Sequence, residues 1–393
     1  MSVYETSAQV STTSRAAGVS ILILAFSAFL IVTTEFLIVG LLPALARDLG
    51  ISIALAGQLV TLFAFTVMIF GPPLTAMLSH LDRKKLFIGI LLLFAASNAV
   101  AAASSSFWLL ALARVVPALA LPVFWGTASE TAGQLAGAQR AGQAVSRVYL
   151  GISAAMLLGI PLGTVAASAV GWRGAFWLLA GLSLIMAVAM WVYMPTVART
   201  AKVDLLKQAQ IFKQPGNVLL SVLVFSAMFI AYTYLADILE RVAGVAPQQV
   251  GWWMMGFGAI GLVGNWIGGK AVDRSPINAT IGFLALLGLG MAATVALAGS
   301  GWLFCVALGL WGIANTALYP VSQVRVMQSV SQAQALAGTT NVSAANAGIG
   351  IGAIVGGMTV ANLGVAWLGY VAAAVAAVAL LLAVLVRRLK PGR

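Results

Sequence analysis

The chain has 393 residues, 62% apolar and 8% charged, where a soluble globular domain carries roughly 25% charged residues. Water is therefore not its main solvent. The net charge of +12 does not point to nucleic acid, because Lys and Arg stand singly or in short runs between apolar blocks and not along one face of a soluble domain. Cys305 and His80 are each the only residue of their type. That removes an intrachain disulfide, a cysteine or histidine metal cluster and a Ser-His-Asp triad, so neither an enzyme, a metal nor a cofactor is expected.

Met1 to Ala17 is polar and lacks the pattern of a cleaved signal, so the first apolar block is expected to stay as a helix. Apolar runs of membrane-spanning length predict helices at Ser20–Leu45, Leu55–Leu78, Leu86–Ala103, Phe107–Gly133, Val148–Val170 and Phe176–Met194. Six more are expected at Val218–Ile238, Val250–Ala271, Ala279–Ala298, Trp302–Val324, Ala337–Leu363 and Trp367–Val386. The fold class is thus an all-α membrane protein of twelve transmembrane helices in two six-helix bundles. The bundles cover 1–198 and 217–393, joined by a polar linker at 199–216 that contains Lys202, Asp204, Lys207 and Lys213.

Alternate loops differ in charge. One side collects Arg15, Arg83, Lys84, Lys85, Arg140, Arg147, Arg199, Lys202, Lys207, Lys213, Lys270, Arg274, Arg325 and the basic tail, whereas the other has Arg47, Arg173 and Arg241. The positive-inside bias then puts both termini and the linker in the cytoplasm. The halves also echo each other: Asp82-Arg83 follows the second helix and Asp273-Arg274 the eighth. Ordinary positive-inside loops explain the bases of both pairs but not the acid in the same place twice.

Glu35 and Arg114 are ionisable residues deep in predicted helices, where such groups are expensive and mark candidate sites. Counted along their helices, both lie about 11–12 Å below the outer surface at 1.5 Å per residue, so they could meet. Their separation would then govern proton uptake by Glu35, the alternative being a static pair that orients two helices. Glu130, Arg147, Asp237 and Arg325 fall near helix ends, where long side chains reach the interface; Glu130 could pair with Arg147 across the fourth and fifth helices. A solute pocket should be apolar and aromatic with a few polar groups. The mid-helix candidates are Phe63, Trp125, Tyr149, Tyr232, Tyr234, Trp253, Asn265, Trp311, Asn315, Asn341 and Asn346. With so few charges at this depth, a neutral or amphipathic small molecule fits better than a nucleotide. Gly151, Gly159 and Gly163 in the fifth helix, and Gly348, Gly352, Gly356 and Gly357 in the eleventh, allow close helix approach.

Several motifs occur in order: Thr34-Glu35-Phe36 with Gly40-Leu41-Leu42-Pro43, Leu112-Ala113-Arg114-Val115, Gly159-Ile160-Pro161-Leu162-Gly163 with Gly171-Trp172-Arg173, and Asn346 to Ala353 with Gly356-Gly357. Through them nearly the whole chain resembles the major facilitator superfamily, in particular its drug and sugar proton-antiporter group with sugar-efflux, chloramphenicol-efflux and purine-nucleoside-efflux proteins. The resemblance implies a monomeric transporter of the bacterial inner membrane, with the lipid bilayer, protons and a small-molecule substrate as its partners. Export of a sugar or drug by proton antiport is the leading reading, and proton-coupled uptake is the alternative. It also implies that the fifth and eleventh helices form the surface on which the halves slide, with Gly159, Pro161, Gly163, Gly348 and Gly352 there, and that Asp82, Arg83, Asp273 and Arg274 act in gating. Two departures stand out. Ser79 falls where the family loop carries Asp, with Asp82 in a glycine position, and Pro117 and Pro122 replace small residues, so a kink is expected there.

The charge asymmetry is open to a direct check. With Cys305 replaced, a cysteine placed at Lys207 should not react with a membrane-impermeant thiol reagent added to intact cells, and labelling from outside would reverse the topology.

Overall fold

In hydrocarbon every backbone N–H and C=O needs an internal partner, and a helix supplies one along its own length. The structure, a computed structural model, describes residues 3–78, 80–136, 141–197, 215–328 and 334–389. At 3–16, 72, 76, 126, 129, 141–143, 145, 146, 149, 153, 273, 327 and 334–339 it describes the backbone alone. Most of the expected linker, 199–214, therefore lies outside the described residues, as do the side chains of Tyr149 and Asp273.

The helices are α1 (Val3–Leu49), α2 (Ile53–Leu78), α3 (Arg83–Ala103), α4 (Phe107–Ala136), α5 (Ala141–Ala154) and α6 (Ile160–Tyr193). They continue with α7 (Pro215–Tyr232), α8 (Pro247–Arg274), α9 (Pro276–Ala296), α10 (Trp302–Met327), α11 (Gln334–Asn362) and α12 (Leu368–Leu389). The described residues contain no strand. Among the described residues ten segments are long and apolar enough to cross a membrane. One of them, Leu150–Tyr193, has 44 residues, about twice the length of a single crossing. It is broken at Gly171, whose φ of 75° and ψ of 163° lie outside the helical region and suit a residue without Cβ. α8 is not among the ten; polar residues such as Gln248, Gln249, Asn265 and Lys270 lower its mean hydropathy.

Elsewhere the elements depart from their expected bounds. α1 starts at Val3 and not near Ser20, since neither Pro nor Gly interrupts the chain before Gly18. α4 runs as one helix through Pro117 and Pro122. α5 joins α6 through a π-helical turn, Ala155–Gly159. α7 ends at Tyr232, and a short turn, Leu235–Asp237, leads into a second π-helical turn, Ile238–Val242. Such turns leave one residue more per turn and occur often at functional sites.

Packing is set by glycine. A Cβ on Gly151 would lie 2.9 Å from Ala28 Cβ, and Gly159 and Gly163 face Thr33 and Leu37, so all three seat the fifth-helix region against α1. Gly348, Gly352 and Gly356 seat α11 against α7 in the same manner, at Val222, Ser226 and Ile230. The expectation that Gly159, Gly163, Gly348 and Gly352 line the contact between the halves of the chain is therefore corrected. They pack against a helix of their own half, because helical residues four apart share one face. The close approaches between the halves fall on other glycines. Gly251 and Gly258 of α8 meet Pro161 O and Met156 O, at 3.0 and 2.9 Å from a built Cβ, and Gly350 and Gly357 of α11 meet Phe65 and Gln58 of α2. Pro161 itself is at this contact.

A branched side chain at Gly258 would be driven into the Met156 carbonyl, with overpacking costs of about 1–3 kcal/mol. Gly258→Val is expected to lower the melting temperature of the purified protein by several degrees, whereas Gly282→Val, where nothing lies within 4 Å of a built Cβ, should leave it unchanged; equal melting temperatures would show that α8 yields at this point.

Candidate functional site

Arg114 is 1% exposed, and a buried guanidinium must find acceptors for its N–H groups. Its Nη1 donates to the backbone carbonyl of Thr34 at 2.5 Å and its Nη2 to that of Glu35 at 2.6 Å. Phe63 of α2 lies beneath it, with the ring centroid 4.5 Å from Cζ, and Asn98 of α3 donates to Thr34 Oγ1 at 3.2 Å. Arg114 thereby ties α4 to α1, with α2 and α3 in support. The depth expected for Glu35 and Arg114 agrees with this meeting, but the bond differs. Among the described residues no ion pair joins the two side chains; the guanidinium binds the backbone of Glu35 and leaves its carboxylate within electrostatic reach only.

From Glu35 an aromatic ladder crosses the molecule. Phe36 meets Phe229 of α7 at 5.8 Å, Phe229 meets Tyr232 at 5.4 Å, Tyr232 stacks on Phe257 of α8 at 5.8 Å, and Phe257 meets Trp311 of α10 edge-on at 5.4 Å. Beside this ladder is a cavity of about 440 Å³, within the range of small-molecule sites. Its wall from the N-terminal half is apolar: Ile152, Met156, Ile160 and Pro161. Its polar groups all come from the C-terminal half, namely Tyr232, Asn265, Asn315, Thr316, Tyr319 and Gln323, and none of the lining residues is charged. Thr316 is bonded to Gly261 O at 2.6 Å, which braces α10 on α8. Asn315 Oδ1 and the Tyr319 hydroxyl are buried with no hydrogen-bond partner.

Of the expected pocket residues, Tyr232, Asn265 and Asn315 line this cavity. Phe63 supports Arg114 instead, and Trp125 packs on Phe124 at 5.4 Å. The Tyr234 hydroxyl donates to Ala353 O at 3.0 Å, Trp253 borders a shallower hollow beside Cys305, and Trp311 is fully buried beyond Phe257. Asn346 donates to Val342 O at 3.0 Å. Asn341 belongs to a buried network: its Oδ1 accepts from Ser221 at 2.8 Å and its Nδ2 donates to Gln323 Oε1 at 2.7 Å. The centre of that network is Arg325, which was expected to reach the interface but is 4% exposed and donates to Asn217, Ser221 and Ser322. Its acceptors are neutral, so a helix-end position did not require the side chain to reach water. Met254, Phe257, Thr316, Tyr319 and Gln323 were not anticipated. For Thr316, Tyr319 and Gln323 the signal was present, since 316, 319 and 323 follow helical spacing on the face that carries Asn315.

The helix-end charges pair in ways that local sequence does not reveal. Glu130 bonds Arg83 at 2.8 Å, not Arg147, which is exposed. Arg83 itself is fully buried and Asp82 caps α3 by accepting from Lys85 N at 3.0 Å. Arg274 is exposed at the end of α8. Asp237, expected at the interface, is fully buried and forms an ion pair with Arg241 at 3.1 Å. Arg47 of α1 reaches Glu240 of the π-helical turn after α7 at 2.7 Å, a bridge between the two halves of the chain. Asp48 is held by Trp172 at 3.1 Å and by Arg173.

The described residues form an all-helical bundle with an uncharged cavity between its two halves, an architecture that suits a multi-pass membrane transporter. The chain belongs to the Major Facilitator Superfamily, which it matches over residues 24–302 and 217–393. It is 34% identical to the inner membrane transport protein YdhP of Escherichia coli (strain K12) over 376 residues, 94% of this chain and 96% of that one. It is 28% identical to a probable sugar efflux transporter of Helicobacter acinonychis (strain Sheeba), covering 92% and 93% of the two chains. Its fold is similar to that of a bacterial homolog of the human lysosomal transporter Spinster in an inward-facing, occupied conformation, with a TM-score of 0.79, 16% identity, and coverage of 94% and 96%.

Arg114 grips two carbonyls with one planar fork, which an ammonium cannot do. Hydrogen bonds to a charged group contribute about 1.5–3 kcal/mol each. Arg114→Lys is therefore expected to reduce transport at least about tenfold with normal membrane insertion, and Arg114→Ala to abolish it; full activity in the Lys variant would show that charge alone suffices.

Proposed function

We propose that the protein is a proton-coupled exporter of a small neutral or amphipathic compound, such as a sugar or drug, with Glu35 as its proton-binding carboxylate. The observation that carries this reading is the separation of roles around α1. Arg114 is bonded to the backbone at Thr34 and Glu35, so the Glu35 side chain is left to exchange a proton, and no charged residue lines the cavity. A carboxylate locked in a short ion pair would hold its charge; one outside such a pair responds to its surroundings as the halves move. The cavity favours a solute without net charge, since burying an ion there would find no counter-charge.

In this reading the chain crosses the inner membrane twelve times. Leu150–Tyr193 counts as two crossings on either side of Gly171, and α8 adds one. The crossings form two six-helix bundles, 1–198 and 217–393, that rock about the cavity, with both termini and the linker cytoplasmic and the protein acting as a monomer. Glycine contacts of α8 with the fifth-helix region and of α11 with α2 are the surfaces on which they slide. The Arg47–Glu240 bridge then closes the outer side, and the similarity to a probable sugar efflux transporter supports export. Uptake by symport uses the same parts in the opposite order.

Glu35→Gln keeps the shape of the side chain but cannot titrate. Proteoliposomes would be offered a panel of labelled sugars, nucleosides and phenicols. The wild type should concentrate a member of the panel when only a pH difference is imposed, and the Gln variant should exchange it without concentrating it. Accumulation by the variant equal to wild type would remove Glu35 from the coupling step.

A further inference from the structure

We propose that Asp237 is a second proton-binding carboxylate, placed on the C-terminal half of the chain, which exchanges its proton with the outer side past Arg241. The site is separate from Glu35, and neither reading needs the other. Asp237 is fully buried, and no hydrogen bond reaches its Oδ1 or its Oδ2. Among the described residues its ion pair is with Arg241, whose Nε lies 3.1 Å from Oδ1 and whose side chain is 62% exposed. The two are close enough for charge attraction but not aligned as a hydrogen bond. Asp237 is thus about one turn inside a cation that stands in solvent. Both lie at the end of the molecule that carries the Arg47–Glu240 bridge, the outer end when the termini are cytoplasmic.

A buried carboxylate keeps its charge cheaply only when it is both paired and hydrogen-bonded, and one that lacks these partners neutralises instead. Asp237 has the pair but none of the hydrogen bonds, so a proton relieves its burial and releases Arg241 to solvent. The backbone around it is irregular. α7 stops at Tyr232, Asp237 ends the short turn Leu235–Asp237, and Arg241 stands on the π-helical turn Ile238–Val242. There Ala243 N donates to Ile238 O at 3.0 Å and Val245 N to Leu239 O at 2.9 Å, a wider ladder that holds Arg241 less tightly over Asp237 than an α-helical turn. The charges around Asp237 are Arg241 and Glu240 of its own segment and Arg47 of α1. Asp48, also on α1, is held by Trp172 and Arg173, and the Tyr234 hydroxyl by Ala353 O. α2, the described part of α11 and Val365–Trp367 contain no ionisable residue, and the first in α8 is Lys270, toward its far end. With Asp237 ionised, Asp237 and Glu240 balance Arg47 and Arg241; with Asp237 protonated, one positive charge is left over. Tyr232 and Leu235 of the same stretch line the cavity, so this change of charge falls at one end of its wall.

The test needs no solute. Infrared difference spectra of the full-length protein in proteoliposomes, titrated with pH, report the carbonyl stretch of each carboxyl that takes up a proton. A band that remains in Glu35→Gln and disappears in Asp237→Asn is expected. Arg241→Gln then removes the counter-charge by changing an exposed side chain and leaves the buried acid in place. Without the guanidinium the ionised form loses its partner, so the same band should appear at a pH about one unit higher, a tenfold rise in proton affinity. Arg241→Lys should reverse most of that shift. Recorded in the Glu35→Gln background, this comparison stands even if Asp237→Asn fails to fold. A titration that Asp237→Asn leaves unchanged, or one that Arg241→Gln does not move, would overturn the site while leaving Glu35 as the proton carboxylate. Spectra that respond to Asp237→Asn but not to Glu35→Gln would support Asp237 and remove Glu35.

Discussion

A guanidinium buried among apolar helices must give its N–H groups to acceptors, and much of the site follows from which acceptors Arg114 finds. Were it bonded to the Glu35 carboxylate, the two would form a neutral pair with little reason to change state. Bonded to the carbonyls of Thr34 and Glu35, it fixes the position of α1 to within a residue and leaves the carboxylate as a separate group. Its own charge is softened by the Phe63 ring. The cost of burying Arg114 is thus offset by backbone atoms, and the acid next to it is available for another purpose.

The second half of the chain has a related but displaced arrangement. Arg325 of α10 is bonded to the start of α7 through Asn217 and Ser221, as Arg114 of α4 is bonded to α1. Both are arginines that tie helices to neutral acceptors, yet Arg114 lies near the start of its helix and Arg325 near the end. The cavity shows the same inequality between the halves. The N-terminal half contributes only apolar lining, and all the hydrogen-bonding side chains of the wall come from the C-terminal half.

Both π-helical turns lie where the halves meet. The π-helical turn Ala155–Gly159 carries Met156, which both lines the cavity and approaches Gly258. The second π-helical turn, Ile238–Val242, carries Glu240, the partner of Arg47 on α1. A turn with a looser hydrogen-bond ladder can change its pitch at less cost than a regular α-helical one. An exposed ion pair contributes at most about 1 kcal/mol, so the Arg47–Glu240 bridge adds little to holding the two halves together.

The helices could be read from the sequence because a membrane imposes a length and a composition on each crossing, and those are properties of consecutive residues. The meeting of Arg114 with α1 at Glu35 followed from the same counting. Glycine spacing correctly indicated close packing, but spacing alone does not say which neighbour fills the groove: Gly159 and Gly352 face α1 and α7, while Gly251 and Gly350 make the contacts between halves. The pocket was legible only in part, since an aromatic or amide at mid-membrane depth looks alike whether it faces a cavity, as Asn315 does, or a network, as Asn341 does. The choice of acceptor by Arg114, the pairing of Arg83 with Glu130 and the place of Tyr319 beside the cavity depend on how each helix is turned about its axis. That rotation is decided by packing against helices distant in sequence, so only the tertiary structure contains it.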